Sequence, residues 1–183
     1  MQISIVGECD KRPFTYTLLD ICQFLGDVLF VTEDESYAQF AEEIETQNGV
    51  KLCYYGNIVI AISKYKTDDL LHQAGYDTKS FDYIIYDNQI DASGAAIIYI
   101  CTGEMSDLEN DLLAFISEND MIVINYGQGR HAVHMNSKVE ARCDEMGERK
   151  DLRIASSEIG GRIFKIISDI TGLPVKTLKK AVR

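Results

Sequence analysis

The sequence has little proline, no tryptophan and no closely spaced pair of cysteines. Two prolines in 183 residues, together with a hydrophobic content of 46%, argue against flexible linkers and intrinsic disorder. The five cysteines lie far apart, mostly in apolar runs, which indicates buried free thiols in a reducing cytoplasm. No apolar run approaches the ~18 residues that span a bilayer, and the start of the chain lacks the features of a signal peptide. We therefore expect a cytoplasmic globular protein with no membrane span.

Positive charge is also scarce. The chain has 18 Lys and Arg against 29 Asp and Glu, a formal net charge of −11 at pH 7. Such a field repels nucleic acid and anionic membranes, except where a local basic patch intervenes. The length predicts a single domain over residues 1–183, large enough to bury roughly 70% of the surface that the unfolded chain exposes.

Histidine occurs only three times. His131 and His134 are spaced so that one helix face could present both to a metal ion, with Cys143 further along. No second close pair of ligands accompanies them, so we predict no metal site. His72 is expected to be a surface residue or one whose hydrogen bonds are satisfied.

Strand-like and helix-like segments alternate along most of the chain. Continuous apolar runs indicate strands that are buried on both faces, and the segments between them have helical spacing. This pattern predicts an α/β fold with a doubly wound, mainly parallel sheet and helices on both faces. The predicted strands include residues 2–6, 28–32, 81–87, 95–102 and 121–126.

Three local features refine this prediction. A first helix is expected from about Pro13 to Leu25, because proline suits the first helical turn. Ser36 and Gln39 form a capping-box pattern for a second helix that Gly49 would end. Residues 50–55 and 58–63 flank a Gly-Asn pair, which is compatible with a hairpin or with two successive strands.

Several stretches, taken in order, resemble the ParA/MinD-like branch of the P-loop NTPases. "VLFVTEDES", "FDYIIYDNQ", "AAIIYICTGEMSDLENDLLAFI" and "MIVINY" are similar to successive strands and helices of that family. The resemblance implies a P-loop NTPase-like fold with ATP and Mg²⁺ as ligands. It also implies that Asp87 would support Mg²⁺ and water and that Asn125 would face adenine.

The first loop, within "GECDKRPFTYTLLDICQFLG", departs from the family's phosphate loop, which has the pattern GKGGxGK[ST]T. With Gly7 on the first glycine, Glu8 replaces the signature lysine and Pro13 replaces the phosphate lysine. Glu8 and Asp10 would repel a triphosphate, and the missing glycines restrict the backbone that would wrap it. We predict a degenerate site with no catalytic residues and no required cofactor. If nucleotide binding is retained, the binding residues would be Lys11, Arg12, Thr15, Asp87 and Asn125.

Acidic residues follow several of the predicted strands. Because ligands bind at the carboxyl ends of parallel strands, these side chains should gather on one rim of the sheet. An acidic rim favours a divalent cation or a basic partner over a bare phosphate. For Asp87 a simple strand-end role remains an alternative, as does a turn-forming role for Asn125. The predicted rim residues are Glu33, Asp34, Asp87, Asp91 and Glu104.

A basic helical segment is expected from about residue 158 to the end. "IISDITGLPVKTLKKAVR" resembles a helix-turn-helix, with Gly172 at the turn and Leu173, Leu178 and Ala181 at packing positions. The alternatives are a partner-binding tail and a docked helix pair with a solvated basic face. Residues 176–183 hold few large apolar side chains, so we expect the fold to be stable without them. The candidate partner- or nucleic-acid-binding residues are Lys176, Lys179, Lys180 and Arg183.

The sequence thus predicts a non-catalytic ParA/MinD-like module for interaction or positioning in a bacterial or mobile-element assembly. A fold that has lost its catalytic loop retains its surfaces as the useful asset. A protein partner is expected, and the resemblance implies self-association across the nucleotide face as a homodimer. A noncanonical ATP-binding switch and a DNA-binding protein acting through the C-terminus are the alternatives.

Overall fold

The computed structural model describes residues 1–64, 72, 75, 77–89, 94–102, 121–126 and 161–181, with backbone alone at 78 and 121–125. The strands are β1 (Gln2–Val6), β2 (Val28–Thr32), β3 (Glu43–Gln47), β4 (Val50–Tyr55), β5 (Ile58–Ile62), β6 (Tyr83–Asp87), β7 (Ala96–Thr102) and β8 (Met121–Tyr126). The described α-helices are α1 (Arg12–Gln23), α2 (Gly161–Thr171) and α3 (Val175–Ala181). Two short 3₁₀-helices are Glu35–Phe40 and Thr78–Ser80.

The strands form one sheet in the order β3-β4-β5-β2-β6-β1-β7-β8. The six strands β5, β2, β6, β1, β7 and β8, in this spatial order, are parallel to one another. Strand β4 is antiparallel to both of its neighbours, β3 and β5. The predicted α/β class with a mainly parallel sheet is therefore confirmed. The two segments flanking the Gly-Asn pair form a hairpin, β4–β5, which decides between the two alternatives.

The two faces of the central strands are both buried. Along β2, Val28 and Phe30 belong to one hydrophobic cluster, whereas Leu29 and Val31 belong to another. The first cluster also contains the buried side chains of α1, α2 and α3. Burial on both faces explains why these strands are continuous apolar runs and not alternating ones.

The helix expected from Ser36 to Gly49 does not form, and this prediction is wrong. The 3₁₀-helix Glu35–Phe40 occupies the first part of the segment, and β3 occupies the second. The cap is Asp34, whose carboxylate accepts a hydrogen bond from the N–H of Ser36 at 2.8 Å.

The reason lies in the residues at each end of that segment. Tyr37 and Phe40 are buried, and the Tyr37 ring packs edge-to-face on Phe30 with centroids 4.8 Å apart. At the other end Asn48 and Gly49 have φ of 49° and 84°, the conformation of a two-residue hairpin turn typical of Asn-Gly. The turn pairs β3 with β4, and pairing takes precedence over the weak helical spacing.

The C-terminal helices are docked on the sheet. The buried side chains of α2 are Ile163, Phe164, Ile166 and Ile167. Gly172 lies at the turn as predicted, with φ of 71°. Leu178 of α3 is 0% exposed and belongs to the same cluster as α1. The full burial of Leu178, one of the predicted packing positions, argues against the expectation that the fold is stable without residues 176–183, and a stability measurement is needed to test it.

Candidate functional site

The chain order of the strands opens a crevice between β1 and β6. The chain leaves β1 for β2 on one side and leaves β6 for β7 on the other side. Loops that diverge in this way leave a crevice at the carboxyl ends of the two strands, where ligands of α/β sheets bind. The loop after β1 and the end of β6 are also tied together, since the N–H of Gly7 donates to the side-chain oxygen of Asn88 at 3.3 Å.

Gly7 has a packing role in this crevice. Its φ is +149°, and a Cβ added there would lie 2.0 Å from the carbonyl oxygen of Ile100 on β7. Both the backbone conformation and the close approach require glycine. Gly7 therefore allows the backbone of the loop after β1 to pack directly against β7.

A buried ion pair spans the crevice. The ammonium of Lys11 lies 3.3 Å from a carboxylate oxygen of Asp87, and the two side chains are only 10% and 9% exposed. Lys11 also donates to the carbonyl of Gly7 at 3.1 Å. The second oxygen of Asp87 accepts from the hydroxyl of Thr32 at 2.9 Å. Lys11, which lies outside the positions of the phosphate-loop motif, thus reaches the acidic residue that the resemblance assigns to Mg²⁺.

A second ion pair lies at the start of α1. The carboxylate of Asp10 accepts from the backbone N–H of Arg12 at 3.0 Å and from its guanidinium at 2.9 and 2.7 Å. Burial acts to raise the pKa of Asp10, but the hydrogen bonds from Arg12 outweigh it and leave the pKa below its ordinary value. Pro13 supplies no N–H to the same turn. The helix N-terminus, where an anion would bind, therefore holds a carboxylate of this chain.

Two adjoining cavities open at this end of the sheet. The first is about 240 Å³, below the roughly 300–1,000 Å³ typical of small-molecule pockets. The second is about 350 Å³ and is strongly acidic. The first is lined by Cys9, Asp10, Lys11, Arg12, Asp34, Ser36, Tyr37 and Asp87. The second is lined by Glu33, Asp34, Asp87, Asn88 and Gln89.

The Tyr37 phenol and the Cys9 thiol in the first cavity are not activated. Burial, and secondarily the charge of Asp87, raises the pKa of Tyr37 well above its ordinary value. Burial raises the pKa of Cys9 to about 11, although the nearby charge of Lys11 acts to lower it. The thiol of Cys9 donates to the carbonyl of Ile100 at 3.3 Å. Both groups are neutral at pH 7, which leaves the cavity without a thiolate or phenolate for covalent chemistry.

The structure brings together some of the predicted site residues. Lys11 and Asp87 meet directly, and Arg12 lies beside them in the lining of the first cavity. Thr15 is 1% exposed, buried within α1. Asn125 lies on β8, two strands from β1, in register with Cys101 of β7. Its side chain is outside the described part.

The acidic rim is present in part. Glu33 and Asp34 lie with Asp87 around the second cavity, as the sequence predicted. Asp91, Glu104, His131, His134, Cys143 and Arg183 are outside the described residues. Sequence reasoning missed Cys9, Ser36 and Tyr37. The last two had been placed on a helix, and the only signal for them was their position after the strand that ends at Thr32.

No protein-family model matches this sequence, and a comparison with curated proteins gives no match. Within the described ranges, no helix is long and apolar enough to cross a membrane. Those same residues contain no group of three or more His, Cys, Asp or Glu side chains arranged to hold a metal ion.

Proposed function

We propose that this chain is a non-catalytic ParA/MinD-like domain that acts by binding a protein partner within a bacterial or mobile-element assembly. The support for the ParA/MinD-like fold is the position of β6 beside β1. That neighbourhood sets the first loop next to Asp87, the two elements that the resemblance pairs around a nucleotide. Self-association across this crevice is part of the proposal, and sedimentation velocity over a range of protein concentrations tests it.

The observation that carries the proposal is the internal pairing of the charges in the first loop. The ammonium of Lys11 is held by Asp87, and the guanidinium of Arg12 is held by Asp10. A phosphate would have to displace the Asp10 carboxylate from the start of α1 and compete with Asp87 for Lys11. Removing one partner of a buried ion pair destabilises a protein by about 3–5 kcal/mol, so nucleotide binding would begin with a substantial deficit.

Nucleotide titration tests this proposal. Millimolar ATP with Mg²⁺ should leave the melting temperature unchanged, and no phosphate release should be measured. A ligand at a hundred times its dissociation constant would contribute about 2.7 kcal/mol to stability, which shifts a domain of this size by several degrees. Pro13→Lys alone should not restore binding, because Asp10 still occupies the start of the helix.

One result would overturn the proposal in favour of the ATP-binding switch. That result is an ATP-dependent rise in melting temperature in the unmodified protein that Asp87→Asn abolishes. Glu45→Gln, on the far edge of the sheet, is the matched control. It removes one negative charge without touching the crevice and should leave any ATP response intact.

A second candidate function is DNA binding through α2 and α3. The turn between them, residues 172–174, has the length and the glycine of a helix-turn-helix. Lys176, Lys179 and Lys180 are exposed, and the Lys179 ammonium lies 5.7 Å from the centre of the Phe164 ring. Binding through so few cations should be weak and steeply salt-dependent. A fluorescent duplex titrated at two salt concentrations tests this, and tight, salt-insensitive binding would make DNA recognition the leading function.

A further inference from the structure

Strand β3 is the outermost strand of the sheet on its side, among the residues that the structure describes, and its side chains are open to solvent. All five residues of Glu43–Gln47 are exposed, and Ile44 is 52% exposed. The outer backbone groups of an edge strand can pair with another chain, and natural edge strands limit this by shortness, charged side chains, bulges or a cover. In β3 the charged side chains are Glu43 and Glu45, which oppose an acidic or identical strand but not a basic one. We propose that β3 binds an extended, basic segment of a partner protein, which adds to the sheet as a ninth strand. This inference rests on the proposed function only in assuming that the domain acts by binding a protein.

The backbone of β3 is oriented for this pairing. Asn48 and Gly49 close the β3–β4 hairpin as a two-residue turn. In such a hairpin the residues that flank the turn exchange hydrogen bonds, and the pattern then alternates along the strand. The N–H and C=O groups of Ile44 and Thr46 therefore point away from β4, to the open side of the sheet.

The charge pattern of β3 selects the partner. Alternate residues share a face of a strand, so Glu43 and Glu45 lie on one face, and Ile44 and Thr46 lie on the other. Like charges directly opposite each other are destabilising in paired strands, and a second copy of β3 paired antiparallel about Ile44 or Glu45 would set glutamates against glutamates. A segment with Lys or Arg at alternate positions pairs with both glutamates. Apolar residues between those cations would then cover the exposed Ile44.

The test uses a fluorescent peptide of seven residues in which lysine and valine alternate, titrated with the full chain by anisotropy. We expect antiparallel addition, in which valines lie opposite Ile44 and Thr46. The valine amides of the bound peptide would then face β3, and the lysine amides would face solvent. Methylation of the valine amides should weaken binding at least tenfold, because it removes the pairing N–H groups and keeps the charge. Methylation of the lysine amides is the matched control and should change the dissociation constant less than threefold. Equal affinities for the two methylated peptides, or no binding of the parent peptide, would overturn the inference.

Charge reversal on the protein supplies a second arm. Glu43→Lys/Glu45→Lys should bind the lysine peptide at least tenfold more weakly than the unmodified protein. The same variant should bind the corresponding glutamate–valine peptide, which the unmodified protein should not bind. Glu8→Lys/Asp169→Lys changes the net charge equally at two exposed positions away from β3 and should keep its preference for the lysine peptide. If both double variants lose the lysine peptide equally, the attraction is only that of the net charge and the inference fails.

The two proposals fail separately. An ATP-dependent stabilisation that Asp87→Asn abolishes would overturn the proposed function in favour of the ATP-binding switch and leave peptide addition at β3 intact. If the peptide does not bind and ATP leaves the melting temperature unchanged, strand addition at β3 would be overturned and the proposed function would stand.

Discussion

The crevice at β1 and β6 and the outer edge at β3 both carry charge, but they use it differently. In the crevice, Lys11 and Arg12 are each held by a carboxylate of this chain, at 3.3 and 2.7 Å. At the edge, all residues of β3 are exposed to solvent. The topology of an α/β sheet favours ligand binding at the crevice. In this protein, however, the two cations of the crevice are already paired with carboxylates of the same chain. Position in a fold indicates where a ligand could bind, whereas local pairing of charges decides which surface is open to one.

The largest expected effect tests how rigidly the crevice is built. Gly7→Ala would place a methyl group 2.0 Å from a backbone oxygen of β7 at a φ of +149°, which should reduce the free energy of unfolding by about 4 kcal/mol or more. Gly49→Ala at the edge hairpin has a φ of +84° and nothing within 4 Å, and should cost about 1 kcal/mol. Urea denaturation of both variants checks this. Equal losses would mean that the crevice is no more rigid than the edge.

The next-largest expected effect is the loss of stability when the buried Lys11–Asp87 ion pair is broken. Lys11→Met leaves the Asp87 carboxylate without its cation, and Asp87→Asn leaves the ammonium without its anion. Each should reduce the free energy of unfolding by about 3 kcal/mol, because an uncompensated buried charge is strongly destabilising. The double variant should lose less than the sum, by about 1–3 kcal/mol. A double-mutant cycle by urea denaturation measures this coupling, and additive losses would show that the two groups do not stabilise each other.

Part of this structure could be predicted from sequence, and the reason differs by region. The central strands are long apolar runs because both of their faces are buried, so their pattern is unambiguous. The side chains of β3 are exposed on both faces, and the spacing of Ile44 with Tyr37 and Phe40 resembles that of a helix. The Asn-Gly pair at 48–49 was the signal that favoured a hairpin.

The candidate site likewise contains features that the local sequence could indicate and features that depend on the fold. Asp10 at the start of α1 is a local feature that an acidic residue before a helix could have indicated. The pairing of Lys11 with Asp87 depends on β6 lying beside β1, and no local pattern encodes that neighbourhood. The family resemblance placed the loop beside Asp87 and named Lys11 with it as a nucleotide-binding residue, but it did not indicate that the two side chains pair with each other.

The third prediction extends the contrast between buried and exposed residues to α3. Leu178 is 0% exposed, so Leu178→Ala should reduce the free energy of unfolding by about 2–3 kcal/mol. Lys180→Ala, on the exposed side of the same helix, should change it by less than about 0.5 kcal/mol. Thermal and urea denaturation measure both. If Leu178→Ala behaved like Lys180→Ala, residues 176–183 would be separable from the fold after all.

The smallest effect concerns the Asp10–Arg12 pair and its dependence on pH. The side chain of Asp10 is 44% exposed, so the pair should contribute less than about 1 kcal/mol. Because folding lowers the pKa of Asp10, its contribution is fully present above the unfolded value of about 3.9 and is lost as the pH falls through the folded pKa. The stability difference between the unmodified protein and Asp10→Asn should therefore be constant from about pH 8 to 5 and should vanish in stronger acid, as measured by urea denaturation at each pH. Glu45→Gln at the edge should show almost no difference at neutral pH. A difference for Asp10→Asn that grew as the pH fell would show that the carboxylate destabilises the start of α1, and Asp10 would then not be the group that stabilises this helix end in place of a bound anion.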